Sequence, residues 1–183
     1  MTLFKNKYRV ESARLKDWDY HNPGFYFVTL CTKNREHYFG QIADGEMHLS
    51  VVGEIVAQCW CEIPAHHADV ELDEFVVMPN HVHGIVVIRE HVVAETLHVT
   101  SLRDPKMSEI FPKAGSLSVI IRSFKSAVTR VAGLKGFNEF AWQARFYDAI
   151  IRDEKTFHKI RQYIFDNPVK WELDKDNPSN LLI

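Results

Sequence analysis

Apolar and polar positions along the chain change rhythm several times, and each rhythm predicts an element. Residues 25–32 (FYFVTLCT) are aromatic and β-branched, which predicts a strand. Asp44-Gly45 marks a turn between two short strands, the second at 46–49. From 52 to 65, Val52, Ile55, Val56, Cys59, Trp60 and Ile63 recur at helical spacing. Two apolar runs follow, at 70–78 and 83–88, and Pro79-Asn80 reads as the turn joining two strands. Ser116 is placed to cap a second helix through about Val131. Its stripe is Leu117, Ile120, Ile121, Phe124, Val128 and Val131, with Arg122, Lys125, Ser126 and Thr129 on another face. Residues 140–151 read as extended and aromatic. Asp153 starts a last helix that must stop near Asn167, because Pro168 follows.

The order is strand, strand, helix, strand, strand, helix, strand, helix. It predicts an α+β architecture with helices packed on an antiparallel sheet. The sheet order is not legible from the pattern. Between 89 and 115 the polarity is mixed and Pro105 and Pro112 interrupt it, so a long, movable loop is expected there. No repeat or linker divides the chain, and 1–183 is expected to be one domain of a size that buries a real core.

Composition narrows the setting. The apolar share of 46% and charged share of 25% are those of an ordinary globular protein. No apolar run is long enough to span a membrane, and the opening MTLFKNKYRVESARLK lacks the apolar middle of a secretory signal. Cys31, Cys59 and Cys61 cannot all pair, and the last two point to different sides of a helix. A reducing cytoplasm is the simpler expectation, with no membrane partner. The net charge of -2 does not suggest a nucleic-acid binder, but its distribution does. From 101 to 135 seven positive residues stand against two negative ones, a local charge of +5. Such a patch can hold phosphates, although a solvated helix face has the same composition.

Two constellations carry chemistry. His81-Val82-His83 lies in a predicted strand, where residues two apart share a face, so both imidazoles can reach one metal ion. Imidazole suits manganese, zinc, iron, nickel and copper, whereas magnesium prefers oxygen. Tyr163 and Asn167 are four apart on the last helix, hence on one face, with Lys159 a turn earlier. They offer a phenol nucleophile and a carbonyl donor. Each pair alone is common in ordinary protein cores, and Tyr163 has Phe157, Ile160 and Ile164 around it.

Set in sequence, the pairs become more specific. VELDEFVVMPN leads through Asn80 into His81-Val82-His83-Gly84. Ile121-Arg-Ser-Phe-Lys-Ser126, Trp142-Gln143 and Ile150-Ile-Arg152 follow in turn, and Tyr163-Ile-Phe-Asp-Asn-Pro168 runs on to Trp171. This resembles the single-tyrosine transposases of the HUH nuclease superfamily, near the group that includes the REP-associated tyrosine transposases. The likeness runs from about Tyr8 to Leu173.

The resemblance implies a ferredoxin-like α+β fold with the histidines on a central strand. It also implies Tyr163 as nucleophile and a divalent metal, Mg2+ or Mn2+, on His81, His83 and Asn167. Some such enzymes are homodimers that share active sites and others act as monomers. Many relatives carry a histidine just before the Ile-Ile-Arg segment, where this chain has Ala149.

The chemistry fits those groups. A free tyrosine titrates near 10, so about one in a thousand is phenolate at pH 7 and the phenol needs help. A metal on the scissile phosphate lowers the barrier to in-line attack. Tyr163 would displace a 3′ oxygen and stay joined to the 5′ phosphate, conserving a phosphodiester that another 3′-hydroxyl can recover. No ATP is then needed, and no G-x-x-x-x-G-K-[ST] phosphate loop occurs. Lys159 and Asp148 are candidate bases.

The expected partner is single-stranded or hairpin DNA. Arg122, Lys125, Arg130 and Arg152 are expected on its phosphates, and Trp142, Phe146 and Tyr147 are candidate stacking surfaces. Three other readings compete: a DNA-binding protein of the same fold that no longer transposes, a histidine-metal hydrolase attacking with water, and a carboxylate-triad transposase, for which no spacing stands out.

Overall fold

The computed structural model describes residues 18–90 and 115–171. Almost all of the expected 89–115 loop, with Arg103, Lys106 and Lys113, lies outside the described residues.

The elements in chain order are β1 (Gly24–Cys31), β2 (Gly40–Ala43), β3 (Glu46–Leu49), α1 (Val51–Cys61), α2 (Ile63–His66), β4 (Val70–Met78), β5 (His81–Ile88), α3 (Leu117–Leu134), β6 (Tyr147–Ile151) and α4 (Glu154–Asp166). Four strands form an antiparallel sheet in the order β4-β5-β1-β6, and β2-β3 form a separate hairpin. Leaving the hairpin aside, β1-α1-β4-β5-α3-β6 is a split βαβ arrangement. The expected α+β, ferredoxin-like class is therefore the observed one, with α4 added at its end.

Three elements differ from the pattern reading. The helix expected over 52–65 breaks into α1 and α2 because Pro64 lacks an N–H and crowds the preceding turn. Strand β5 begins at His81 rather than at His83, since Met78 pairs with His81 across a two-residue turn. The extended run expected over 140–151 shrinks to β6. Upstream of it the chain meets the sheet margin at an isolated bridge between Trp142 and Thr32. Phe140, Trp142 and Phe146 turn into the core instead, so apolar packing overrides strand propensity there.

The sheet has two covered faces, and period-two alternation sorts residues between them. Tyr26, Val28 and Leu30 of β1 and Val82 and Val86 of β5 pack with α1 and α3. Phe27, Ile85, Val87 and Ile151 pack with Ile164 of α4, edged by Phe157 and Ile160. Gly84 belongs to the first face. A Cβ there would collide with the Trp60 ring, which is wholly buried and lies across the strand. The glycine after the histidine pair thus serves the core on the far side of the sheet.

Candidate active site

The site stands on β5, β1 and α4. His81 and His83 occupy odd positions of β5, so both rings face α4. They are fully buried, with ring centroids 4.3 Å apart. Register places Thr29 of β1 opposite His83, and its Oγ1 lies 2.8 Å from His83 Nδ1. Asn80 holds His81 in the same way. Its Nδ2 donates to the Arg35 carbonyl at 3.2 Å, which turns Oδ1 toward His81 Nδ1 at 2.8 Å. A carbonyl oxygen only accepts, so Nδ1 of His81 carries the proton and Nε2 carries the lone pair. That is the tautomer a metal ligand requires, fixed by a neighbouring hydrogen bond.

Helix α4 brings the phenol. Asp153 caps it, accepting from the Thr156 N–H at 2.8 Å and the Thr156 hydroxyl at 2.7 Å. These bonds hold the Asp153 carboxyl below the usual range. Tyr163 Oη sits 3.1 Å from His83 Nε2, and the residue is 39% exposed. Phe27 is the shared floor, with its ring 5.4 Å from His83, 6.2 Å from Tyr163 and 6.3 Å from Tyr147. One turn past Tyr163, Asn167 ends the helix with αR backbone angles and is buried. Its Oδ1 has no hydrogen-bond partner among the described residues. Trp171 stacks on His81 at 6.0 Å between ring centres and meets His37 edge-on at 5.8 Å.

The helix is also tied down electrostatically. Arg161 Nε lies 2.8 Å from Asp73 Oδ1, and its Nη2 lies 3.7 Å from Glu74. Those carboxylates sit where β4 slips register between Leu72 and Phe75. The irregularity thus offers two acids to the element that carries Tyr163.

The donor set can be tested against a divalent metal. Among the described residues no group of three or more His, Cys, Asp or Glu side chains could hold an ion. Two imidazoles and an amide oxygen remain. The buried, unsatisfied Asn167 Oδ1 is what such a group would relieve, because an orphaned buried carbonyl is costly. The set fits manganese or zinc through its nitrogens better than magnesium.

Other expected residues fall elsewhere. Asp148 pairs with Val28 and shares its face, that of α1 and α3, so it lies across the sheet from Tyr163 and cannot be its base. Lys159 is exposed on α4. Arg122 and Arg130 are exposed on α3, also across the sheet from the histidines. Lys125 donates from Nζ to the Gln143 carbonyl at 2.6 Å beside the Trp142 ring, and burial pushes its ammonium down to about 8. Arg152 lies 5.8 Å from the Trp18 ring centre. Trp142 packs among Phe39, Phe124 and Phe140. Phe146 also joins the core, whereas Tyr147 is exposed beside Phe27. Ala149 pairs with Phe27 and packs in the apolar cluster under α4.

Sequence reasoning missed Thr29, Asn80, Phe27 and Arg161. Asn80 could have been found, standing directly before His81. Thr29 could not, because only strand register brings it to His83.

This fold is shared with a solved structure of a REP-associated tyrosine transposase bound to a REP hairpin. The two align with a TM-score of 0.55 and 22% identity, over 84% of this chain and 71% of that one. A candidate transposase from Deinococcus radiodurans R1 aligns with a lower TM-score of 0.42 and 16% identity, over 84% of this chain and 97% of that one. No family model matches the chain. The chain belongs to the same family as an uncharacterized protein of Haemophilus influenzae, with which it is 41% identical over 167 residues, 90% of this chain and 91% of that one.

Proposed function

We propose that this protein is a tyrosine transposase of the HUH type that cuts and rejoins single-stranded or hairpin DNA, with Tyr163 as the attacking group. One observation carries the reading: the Tyr163 hydroxyl lies 3.1 Å from His83 Nε2, on a helix whose next turn presents a buried, unsatisfied Asn167 oxygen. A structural tyrosine would leave that oxygen unexplained. The fold shared with a tyrosine transposase supports the same reading.

His81, His83 and Asn167 would hold a divalent cation. When bound it would supply charge neutralisation at the phosphate. The chain's own groups do the rest. Asn80 and Thr29 orient the imidazoles, and Phe27 sets the tilt of the Tyr163 ring. In the proposed step the Tyr163 oxygen bonds to phosphorus as the bond to the 3′ oxygen breaks. The phenol loses its proton and the departing 3′ oxygen gains one. A 3′-hydroxyl attacking the 5′-phosphotyrosine reverses the exchange and rejoins a strand. Tyr163, His81, His83 and Asn167 all come from one chain, so a second copy is not needed to assemble this geometry.

The test is a denaturing gel. Incubation with an end-labelled hairpin oligonucleotide and Mn2+ should give a protein–DNA adduct that Tyr163→Phe does not form. Cleavage without an adduct would favour water as attacker. Binding without cleavage would favour a DNA-binding protein that has lost transposition.

A further inference from the structure

Beside the histidines, the turn Lys33–Arg35 and the segment 141–144 enclose an open cleft of about 760 Å³. This lies within the range of ligand pockets, roughly 300–1,000 Å³. Its lining holds two cations (Lys33 and Arg35), one large aromatic (Trp142), two amides (Asn34 and Gln143) and no carboxylate. A cationic track next to an aromatic ring is the composition that binds single-stranded nucleic acid, with cations on phosphates and rings on bases.

The backbone of the cleft is strained and held. Asn34 and Arg35 have φ of 56° and 57°. Asparagine tolerates the left-handed region, but arginine rarely enters it. Several bonds enforce the shape. Lys33 N–H donates to the Ala141 carbonyl at 2.8 Å, and Gln143 N–H donates to the Cys31 carbonyl at 2.9 Å. Asn80 Nδ2 donates to the Arg35 carbonyl at 3.2 Å. Lys125 backs the other wall by donating to the Gln143 carbonyl. Backbone strain maintained by its surroundings is characteristic of ligand clamps.

Asn80 also ties the cleft to the site. One amide group holds the Arg35 carbonyl with its nitrogen and His81 with its oxygen. The Arg35 edge of the cleft is thus linked to His81, while Trp142 on its other wall packs on the α3 side of the sheet.

We infer that this cleft seats a nucleotide of the single-stranded DNA, its phosphate on Lys33 and Arg35 and its base against Trp142 and Gln143. The inference rests on the proposed strand-transfer reading and gives that reading a substrate subsite. It places a DNA contact at the end of β1, beside Lys125 of α3.

The test uses the full chain and a fluorescein-labelled 20-nucleotide oligo(dT), with anisotropy measured across a salt series. Lys33→Ala/Arg35→Ala should weaken binding about tenfold or more and lower the salt slope by about 1.4, two single-strand phosphate contacts. Lys33 is exposed and Arg35 half-buried at a turn, so a urea melt of each variant separates lost binding from lost folding. A 4-thiothymidine version of the oligonucleotide should photo-crosslink to the peptide containing 141–144. If wild type binds but the double variant keeps its slope and the crosslinks map elsewhere, the cleft assignment is overturned and the strand-transfer reading stands. If wild type binds neither oligo(dT) nor a DNA hairpin, the strand-transfer reading fails and the assignment falls with it. If oligo(U) binds through Lys33 and Arg35 while oligo(dT) does not, the assignment to DNA is overturned.

Discussion

Among the described residues, the cluster of buried apolar side chains on the α1 and α3 side of the sheet has 22 members, and the cluster under α4 has five. On the α4 side the places that further apolar residues would fill are taken by Thr29, His81, His83 and Asn167, all buried. Burying polar groups this way adds little to stability, and an unsatisfied one subtracts about 1–3 kcal/mol. The first face therefore secures the fold, which frees the second to hold groups that a core would otherwise exclude. A βαβ frame complete before α4 begins makes the division possible, because the Tyr163 helix is added to a sheet already covered on one side.

The sharpest test of this division is Tyr163→Phe. It should reduce strand cleavage to background. The ring would still pack on Phe27, and the fold loses the hydrogen bond to His83 rather than packing. Unfolding free energy should therefore fall by no more than about 0.5–1.5 kcal/mol. Measured by cleavage assay and urea melt together, a large stability loss would show that the α4 side also carries the fold. The converse is Trp60→Ala. Trp60 is fully buried between Phe75 and Phe124 and fills the space over Gly84. Its loss should cost about 3–5 kcal/mol, roughly 6–20 °C in Tm for a chain of this size. Cleavage per folded molecule at low temperature should be little changed, because Trp60 lies across the sheet from the histidines.

A smaller effect separates the donor set from the packing around it. Asn167→Ala should weaken Mn2+ binding, followed by calorimetry, by about tenfold or more. The metal-free protein should melt within about 1 kcal/mol of wild type, because the oxygen removed has no partner to lose among the described residues. Unchanged metal affinity would remove Asn167 from the proposed ligands.

How much of this was legible follows from the range of each interaction. The shared face of His81 and His83 needs only period two, and the Tyr163–Asn167 pairing only the helical turn, so both could be read locally. That the two pairs meet depends on β5 lying beside β1 and on α4 crossing the open face, and no local pattern encodes strand order. Asp148 shows the same limit. Alternation separates it from Tyr147 and Ala149, but which of the two faces receives α4 is a tertiary fact. The aromatic run before β6 misled for another reason: Phe140 and Trp142 have strand propensity, yet burial against Phe39 offers more than one further ladder bond. Pro64, by contrast, gave a breaker signal that the periodicity of 52–65 outweighed.

The smallest expected effect concerns the basic side of α3. Arg122 and Arg130 are exposed there, and the whole sheet stands between them and Tyr163. They can touch only parts of a DNA hairpin remote from the bond being cut. Arg122→Ala should weaken binding to unrelated oligonucleotides alike and lower the salt slope by about 0.7, the value of one single-strand phosphate contact. That is half the change expected from the Lys33 and Arg35 pair. Cleavage of DNA already bound should keep its rate, because Arg122 lies across the sheet from Tyr163. Dissociation constants over a salt series, with single-turnover cleavage at saturating protein, distinguish the outcomes. An unchanged slope would make the α3 face a solvated surface. A slowed single turnover would instead mean that the two faces of the sheet are coupled through the DNA, and the division between them would have to be redrawn.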